Sequence, residues 1–246
     1  MESKKIKPYF IKKTNPRVGL IVLSTDVMIE QDFLKVFSGI PVDLYVNRIT
    51  NYNPVTADNL KKMTNKITSV TENILPGEKI DCIVYGCTSG TIVSGYDNIK
   101  KKINIAKPDA LVTAPSTAAL NALKKKNINK ISIVTPYIKS VNDDVVNFFK
   151  NNNFEVTSNT YFDIQSDVDI GRVDQDQLFE ILSNIDHQDA DALFVSCTSL
   201  PVLNIIEKLE KKLKMTVLSS NQALIWETLE SLNRNNSIKG YGSLFS

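Results

Sequence analysis

Two segments of the chain carry nearly the same sequence. Residues 81–90 read DCIVYGCTSG and residues 191–200 read DALFVSCTSL, so each opens with aspartate and runs through apolar residues into a Cys-Thr-Ser triplet. The triplet cysteines, Cys87 and Cys197, lie almost half the chain apart. Because similar hydrophobic patterns favour similar local structure, this repeat indicates a chain built from two related halves.

Apolar runs of strand character alternate with helical patterns along both halves, which is typical of α/β proteins with parallel sheets. The strands predicted to open the halves, 17–24 and 130–135, each begin with a basic residue. We predict an α/β fold with two pseudo-symmetric lobes, each a parallel sheet flanked by helices, and a site in the cleft between them. Residues 1–115 plus 220–246 form the predicted N-terminal lobe, and residues 116–219 form the C-terminal lobe.

Helical periodicity places most of the remaining elements. Single helices are predicted over 55–74 and 89–104, and Ser116 is predicted to cap the helix that follows. Another helix is predicted over 173–185. The last helix, over about 221–233, is predicted to cross back onto the first lobe.

Composition excludes several classes of function. The 246 residues carry a net charge of only +2, with 42% hydrophobic and 23% charged residues, so no nucleic-acid partner is predicted. The first residues lack the apolar core of a signal peptide, and no apolar run is long enough to span a membrane. We therefore expect a cytoplasmic protein without membrane contact that forms, as one option, a homo-oligomer.

The few cysteines and the single histidine limit the kinds of catalytic and metal site that the chain can form. Three cysteines in such a chain favour free thiols over disulfides. Cys82 lies early in its apolar run and is expected to be a core residue. His187 lies in a polar stretch that is predicted to be a surface loop, so no Cys-His or Ser-His pair and no zinc site is expected.

Each Cys-Thr-Ser triplet follows a predicted strand and precedes a helix, the position where open α/β sheets bind ligands. Backbone N–H groups there stabilise anions, so we expect at least one of the two thiols to be unusually acidic. Two thiols can remove a proton on one face of a carbon and return it on the other, or add to a double bond. The alternative is that both cysteines only pack the core.

Other strand ends supply further candidate residues. Ser24, Thr25 and Asp26 end the first strand, and Tyr137 follows the corresponding strand of the second half. Their hydroxyls could bind a carboxylate, and Tyr137 could protonate an intermediate. Helix capping explains the Ser, Thr and Asp equally well, and Asn221 is either a cap or a ligand contact.

With these residues assembled, the chain resembles the aspartate/glutamate racemase superfamily, and within it the maleate isomerase and arylmalonate decarboxylase group. The resemblance is carried by residues 19–26, 85–90, 135–137, 196–199 and 219–223. It implies an enzyme without cofactor or metal, which acts on a small carboxylate or amino acid between two lobes.

The resemblance assigns roles to single residues. Cys87 and Cys197 match the two catalytic thiols of the group, and Tyr137 matches the tyrosine of the isomerases. The hydroxyls that match carboxylate-binding positions are Thr88, Ser89, Thr198 and Ser199. Arylmalonate decarboxylases keep only the second thiol, so two cysteines favour an isomerase.

Two acids depart from the maleate isomerase pattern. Asp26 and Asp167 stand where those isomerases carry asparagine, and a dianion such as maleate would prefer the amides. The ectoine-utilisation EutA-like branch shares the acids, which implies an amino-acid-like substrate from ectoine breakdown.

Three functions compete. The leading hypothesis is an isomerase, either a racemase or a cis–trans isomerase, that uses both thiols. The second is a decarboxylase of a malonate-type acid, with Cys197 alone as proton donor. The third is a non-catalytic ligand-binding protein or thiol sensor, in which Cys87 and Cys197 form a disulfide on mild oxidation.

Overall fold

The computed structural model describes residues 3–11, 14–234 and 237–246, which form two similar α/β halves. The first half contains, in chain order, β1 (Arg17–Leu23), α1 (Ile29–Phe37), β2 (Asp43–Ile49), α2 (Ala57–Thr64), α3 (Ile67–Glu72), β3 (Cys82–Gly86), α4 (Thr88–Ser94), α5 (Tyr96–Ala106), β4 (Leu111–Thr113) and α6 (Pro115–Lys125). The second half contains β5 (Lys130–Thr135), α7 (Lys139–Asn151), β6 (Glu155–Tyr161), α8 (Asp167–Ile170), α9 (Gln175–Asn184), β7 (Ala192–Val195), α10 (Ile206–Leu213), β8 (Thr216–Ser219) and α11 (Ser220–Ser231). Short 3₁₀ turns occupy Leu203–Ile205 and Ser243–Phe245.

The two sheets have the same topology. Their strand orders are β2-β1-β3-β4 and β6-β5-β7-β8, and every pair is parallel. The central strands β1, β3, β5 and β7 are apolar and buried along almost their whole length, as strands covered by helices on both faces must be. The predicted two-lobed α/β fold is therefore confirmed, and β3 and β7, which precede the two Cys triplets, occupy equivalent positions.

Helices from both halves pack together where the lobes meet. The last helix, α11, contacts α6, α1, β3 and β4 of the first half, and α4 contacts α7 of the second. One hydrophobic cluster includes buried residues of both sheets, such as Leu20 and Val84 with Ile133 and Phe194. This shared core holds the carboxyl ends of β3 and β7 in a fixed relation.

Several elements differ from the sequence prediction. The helix predicted over 55–74 is two helices, α2 and α3, and the helix over 89–104 breaks at Gly95, whose φ of +78° suits glycine. Ser116 lies inside α6, because Pro115 takes the first helical position after Ala114. The short helix α8 was not predicted, since four residues carry no periodic signal.

His187 is buried and not on the surface as predicted. Its ring lies 2.9 Å from Ser132 Oγ through Nδ1 and 2.8 Å from the Leu182 carbonyl through Nε2. Both ring nitrogens are thus occupied within the second half, away from both Cys triplets, and the residue is structural. Among the described residues, no helix is long and apolar enough to cross a membrane, and no cluster of three His, Cys, Asp or Glu could hold a metal ion.

Candidate active site

The two repeated cysteines line one cavity. Cys87 directly follows β3 and Cys197 lies just beyond β7, and both side chains are buried. Thr88, Ser89 and Thr198 of the same triplets also line the cavity. Its volume is about 20 Å³, which is space for about one water molecule. The site is therefore closed in this structure.

Cys87 is the N-cap residue of α4. Its Sγ accepts a hydrogen bond from the Gly90 backbone N–H at 3.2 Å and lies 3.9 Å from Ser89 Oγ. A Cβ at position 90 would lie 2.8 Å from this sulfur, 3.0 Å from Tyr85 Oη and 3.1 Å from Met63 Cε. Glycine is required here because the sulfur occupies the space that any larger residue would fill.

Cys197 has a backbone conformation that is uncommon for a residue with a side chain, with φ of +112°. Such strain costs on the order of 1–3 kcal/mol and is concentrated at functional sites. Its backbone N–H donates to Ser220 Oγ at 3.0 Å, and the same oxygen accepts from Thr88 Oγ1 at 2.9 Å. Ser220, which sequence analysis did not single out, thereby joins the two triplets.

The expectation of an acidic thiol is wrong for this closed site. Burial raises the pKa of the Cys87 thiol to about 12, against a smaller lowering by the Gly90 N–H, and the charge of Asp167 raises it further. Burial also raises the pKa of Cys197 well above its ordinary value, with a further increase from Asp167. The hydroxyl of Tyr137 acts in the opposite direction on Cys197. Desolvation outweighs the local N–H donors because both side chains are almost completely buried.

Asp26 is completely buried, two residues before Met28, the N-cap residue of α1. Its Oδ1 accepts from the backbone N–H groups of Met28 at 2.8 Å and Ile29 at 3.0 Å, so it holds the turn that leads into the helix. Its Oδ2 has no hydrogen-bond partner among the described residues. Burial raises the pKa of Asp26, although the nearby Thr198 and Ser199 side chains favour the charged form.

Asp167 lines the cavity at the first turn of α8. Its Oδ2 accepts a hydrogen bond from Thr25 Oγ1 at 2.6 Å, and Thr25 in turn accepts from Asn51 Nδ2 at 2.7 Å. Burial raises the pKa of Asp167 to about 6, with a further contribution from the charge of Asp26. Ser24 is exposed and does not line the cavity; its hydroxyl donates to Asn51 Oδ1 at 2.8 Å.

Of the other residues predicted for the site, some line the cavity and some do not. Tyr137 is buried and lines the cavity, whereas Ser199 is buried behind it and its Oγ has no partner among the described residues. Asn221 does not line the cavity. Its Nδ2 donates to Asp32 Oδ2 and to the Thr198 carbonyl, both at 2.8 Å. Asp32, a buried acid that sequence analysis missed, thus supports the second triplet through Asn221.

One wall of the cavity comes from a segment with no predicted role. It consists of the loop after β2 and the helix α2, whose lining residues are Asn51, Tyr52, Val55, Asn59, Leu60 and Met63. The sequence of this segment shows only ordinary amphipathic spacing, so nothing in it pointed to the site.

Residues 96–245 match the family model described as Arylmalonate decarboxylase. A maleate isomerase of Geobacillus stearothermophilus is 26% identical over 244 residues, which cover 94% of this chain and 97% of the relative. An arylmalonate decarboxylase of Bordetella bronchiseptica is 28% identical over 136 residues, which cover 54% of this chain and 57% of the relative.

Solved structures show the same fold. A mutant of the Nocardia farcinica maleate cis-trans isomerase, with a covalently bound succinylcysteine intermediate, superposes with a TM-score of 0.87 at 21% identity and covers 94% of this chain and 98% of its own. The maleate isomerase Iso from Pseudomonas putida S16 superposes with a TM-score of 0.86 at 21% identity, and the match covers 95% of this chain and 99% of that one.

Proposed function

We propose that this chain, which belongs to the arylmalonate decarboxylase family, is a cofactor-independent isomerase of a small carboxylic or amino acid that works through Cys87 and Cys197. The observation that carries this proposal is that equivalent strands of the two lobes deliver both thiols to one cavity. A decarboxylase needs one proton donor, so a second thiol in the same cavity favours a reaction that uses both.

Two reaction courses suit this pair of thiols. In racemisation, one thiolate removes the proton from the carbon next to the carboxylate, the electron pair moves into the carboxylate as an enediolate, and the other thiol returns a proton to the opposite face. In cis–trans isomerisation, one thiolate forms a C–S bond to one carbon of the double bond, and the π electron pair moves into the carboxylate on the other carbon as an enediolate. After rotation about the new single bond, this pair returns, the C–S bond breaks and the thiolate leaves as the double bond forms again.

Each thiol has its own stabilising donors. The Gly90 N–H points at Cys87 Sγ, and the Ser199 N–H and the Tyr137 hydroxyl favour the thiolate of Cys197. The hydroxyls of Thr88, Ser89 and Thr198 face the same cavity and are placed to bind a carboxylate and the enediolate charge that develops on it. Water has to be displaced from this space by the substrate, which strengthens these interactions.

Substitution of the cysteines tests the proposal. Cys197→Ala should abolish turnover, and Cys87→Gly should lower it by several powers of ten, because paired catalytic groups act as a unit. Cys82→Ala is the matched control, since Cys82 is buried on β3 beside Thr113 and does not line the cavity. Turnover is followed by chiral chromatography of amino and dicarboxylic acids, with ectoine-derived acids among them.

The second candidate is a decarboxylase, which the family match itself favours. In that case Cys87→Gly should leave carbon dioxide release from a malonate-type acid nearly unchanged. Solvent deuterium separates the isomerase courses: a racemase incorporates deuterium into recovered substrate, whereas cis–trans isomerisation by thiolate addition does not require it. Dependence on an added metal or nicotinamide would contradict the proposal altogether.

A further inference from the structure

The wall around the two thiols carries negative charge and no positive charge. Of the residues that line the cavity within the described chain, Asp167 is the only charged one, and none is Lys, Arg or His. Asp26 is buried behind the same wall, and its charge and that of Asp167 raise the pKa of both thiols. Both carboxylates are therefore within electrostatic reach of the reacting sulfurs.

Two basic residues contact residues of this wall without lining the cavity themselves. Arg48 Nη2 pairs with Glu30 at 2.6 Å, while its Nη1 donates to the carbonyls of Leu23 at 3.2 Å and Asp26 at 2.9 Å. Lys66 lies over the ring of Tyr52, 5.8 Å from its centroid, with its Nζ 3.4 Å from the Tyr52 hydroxyl. Neither residue lines the cavity.

Both carboxyls are built as hydrogen-bond acceptors. A chain of donors runs from Asn51 through the Thr25 hydroxyl to Asp167 Oδ2, and two backbone N–H groups end on Asp26 Oδ1. Asp26 is wholly buried, with the Thr198 and Ser199 side chains beside its carboxyl group, and it does not line the cavity. Asp167 is therefore the carboxyl group that a ligand would touch, and Asp26 acts on the ligand only through its charge.

We infer that the substrate of this site carries one carboxylate and one cationic group next to the reacting carbon, as an α-amino acid does, with its ammonium on the side of Asp167 and Asp26. The inference rests on the proposed function of the cavity. A dianion would place its second carboxylate against Asp167 with no cation to offset the repulsion. An ammonium can donate to the Asp167 carboxylate, which lines the cavity, and it offsets the negative charge that raises the pKa of both thiols. Substrate binding itself would then favour thiolate formation.

Isosteric ligand pairs test the charge directly. Alanine and isobutyrate differ by an ammonium in place of a methyl group, and aspartate and methylsuccinate differ in the same way. Binding is measured by calorimetry at about pH 8, above the pKa of about 6 of Asp167. The unmodified protein and Cys197→Ser are both measured, so that the result does not depend on turnover. We expect the better-binding amino acid, of either hand, to bind at least about tenfold more tightly than its methyl isostere.

One substitution and its control test whether the charge of Asp167 causes the preference for the ammonium. Asp167→Asn keeps an oxygen that can accept from Thr25 but removes the charge, and it should abolish the preference for the ammonium or shift it toward methylsuccinate. Asp169→Asn is the matched control on the same helix, since Asp169 is exposed and paired with Arg172; it should leave the preference unchanged.

Three results would overturn the inference: tighter binding of methylsuccinate than of aspartate by the unmodified protein, an unchanged preference in Asp167→Asn, or no binding of any of the four ligands. Tighter binding of methylsuccinate would indicate a protonated Asp167 that donates to a dicarboxylate. A fourth result is that the protein prefers the ammonium ligands and yet forms no isomer and exchanges no deuterium into them. That result would reject the proposed isomerase but would leave the charge preference of the site in place.

Discussion

The Gly90 backbone N–H donates to Cys87 Sγ, and a methyl group added at Gly90 would collide with that sulfur. The Cβ of Gly90→Ala would lie 2.8 Å from Cys87 Sγ, 3.0 Å from Tyr85 Oη and 3.1 Å from Met63 Cε, all closer than such atoms normally approach. These neighbours are buried, so relief requires the sulfur and the tyrosine to move by several tenths of an ångström. Overpacking of this kind costs about 1–3 kcal/mol of stability, and displacement of a reacting atom by about 1 Å costs about 10²-fold in rate.

A second glycine at the end of α4 separates these two effects. Gly95 has φ of +78° and ψ of 134° and nothing near its missing Cβ, so Gly95→Ala should cost about 1–3 kcal/mol through backbone strain alone. Urea unfolding gives the stability of both variants, and turnover of the substrate found by the isomer assay gives their activity. We expect both to be destabilised and only Gly90→Ala to lose activity. Equal activity of the two variants would refute the view that the position of Cys87 Sγ governs turnover.

Three further predictions concern stability, reactivity and the link between the triplets. Burial raises the pKa of Asp32 from 3.8 to about 7 and that of Asp167 from 3.8 to about 6. The folded state therefore binds more protons than the unfolded state, and the free energy of unfolding should fall as pH rises from about 4 to about 7. Urea unfolding at several pH values measures this fall, which should be smaller in Asp32→Asn. Alkylation of Cys87 and Cys197 should be slow in the ligand-free protein, and its rate should still rise above about pH 9. Mass spectrometry over a pH series measures these rates. A rate that levels off near neutral pH would contradict the closed site. Ser220→Ala should lower stability by about 1–3 kcal/mol and reduce turnover, because the Cys197 N–H and the Thr88 hydroxyl lose their shared acceptor, whereas Ser231→Ala on the same helix should leave turnover intact.

The repeated triplets were sufficient to predict much of the architecture. They placed Cys87 and Cys197 after equivalent strands, and parallel strands bring such residues to the same edge of their sheets. Cys82 was correctly assigned to the core, because its neighbours in the strand are apolar.

Features that depend on long-range packing could not be predicted in this way. Asp32 and His187 look like ordinary polar residues in the sequence, and only the packing of other elements buries them. The loop and helix that carry Asn51 and Met63 show no motif that relates them to the thiols. The thiol pKa was predicted in the wrong direction because a strand-end position reveals the N–H donors but not the closure that removes water.

In the proposed reaction, both thiols act on one substrate molecule. A crystal structure of the Cys197→Ser variant with an amino acid that the protein binds tests this claim most directly. We expect Cys87 Sγ and the introduced hydroxyl within about 3–3.5 Å of opposite faces of one ligand carbon. A ligand bound outside the cavity, or within reach of only one of the two positions, would contradict it.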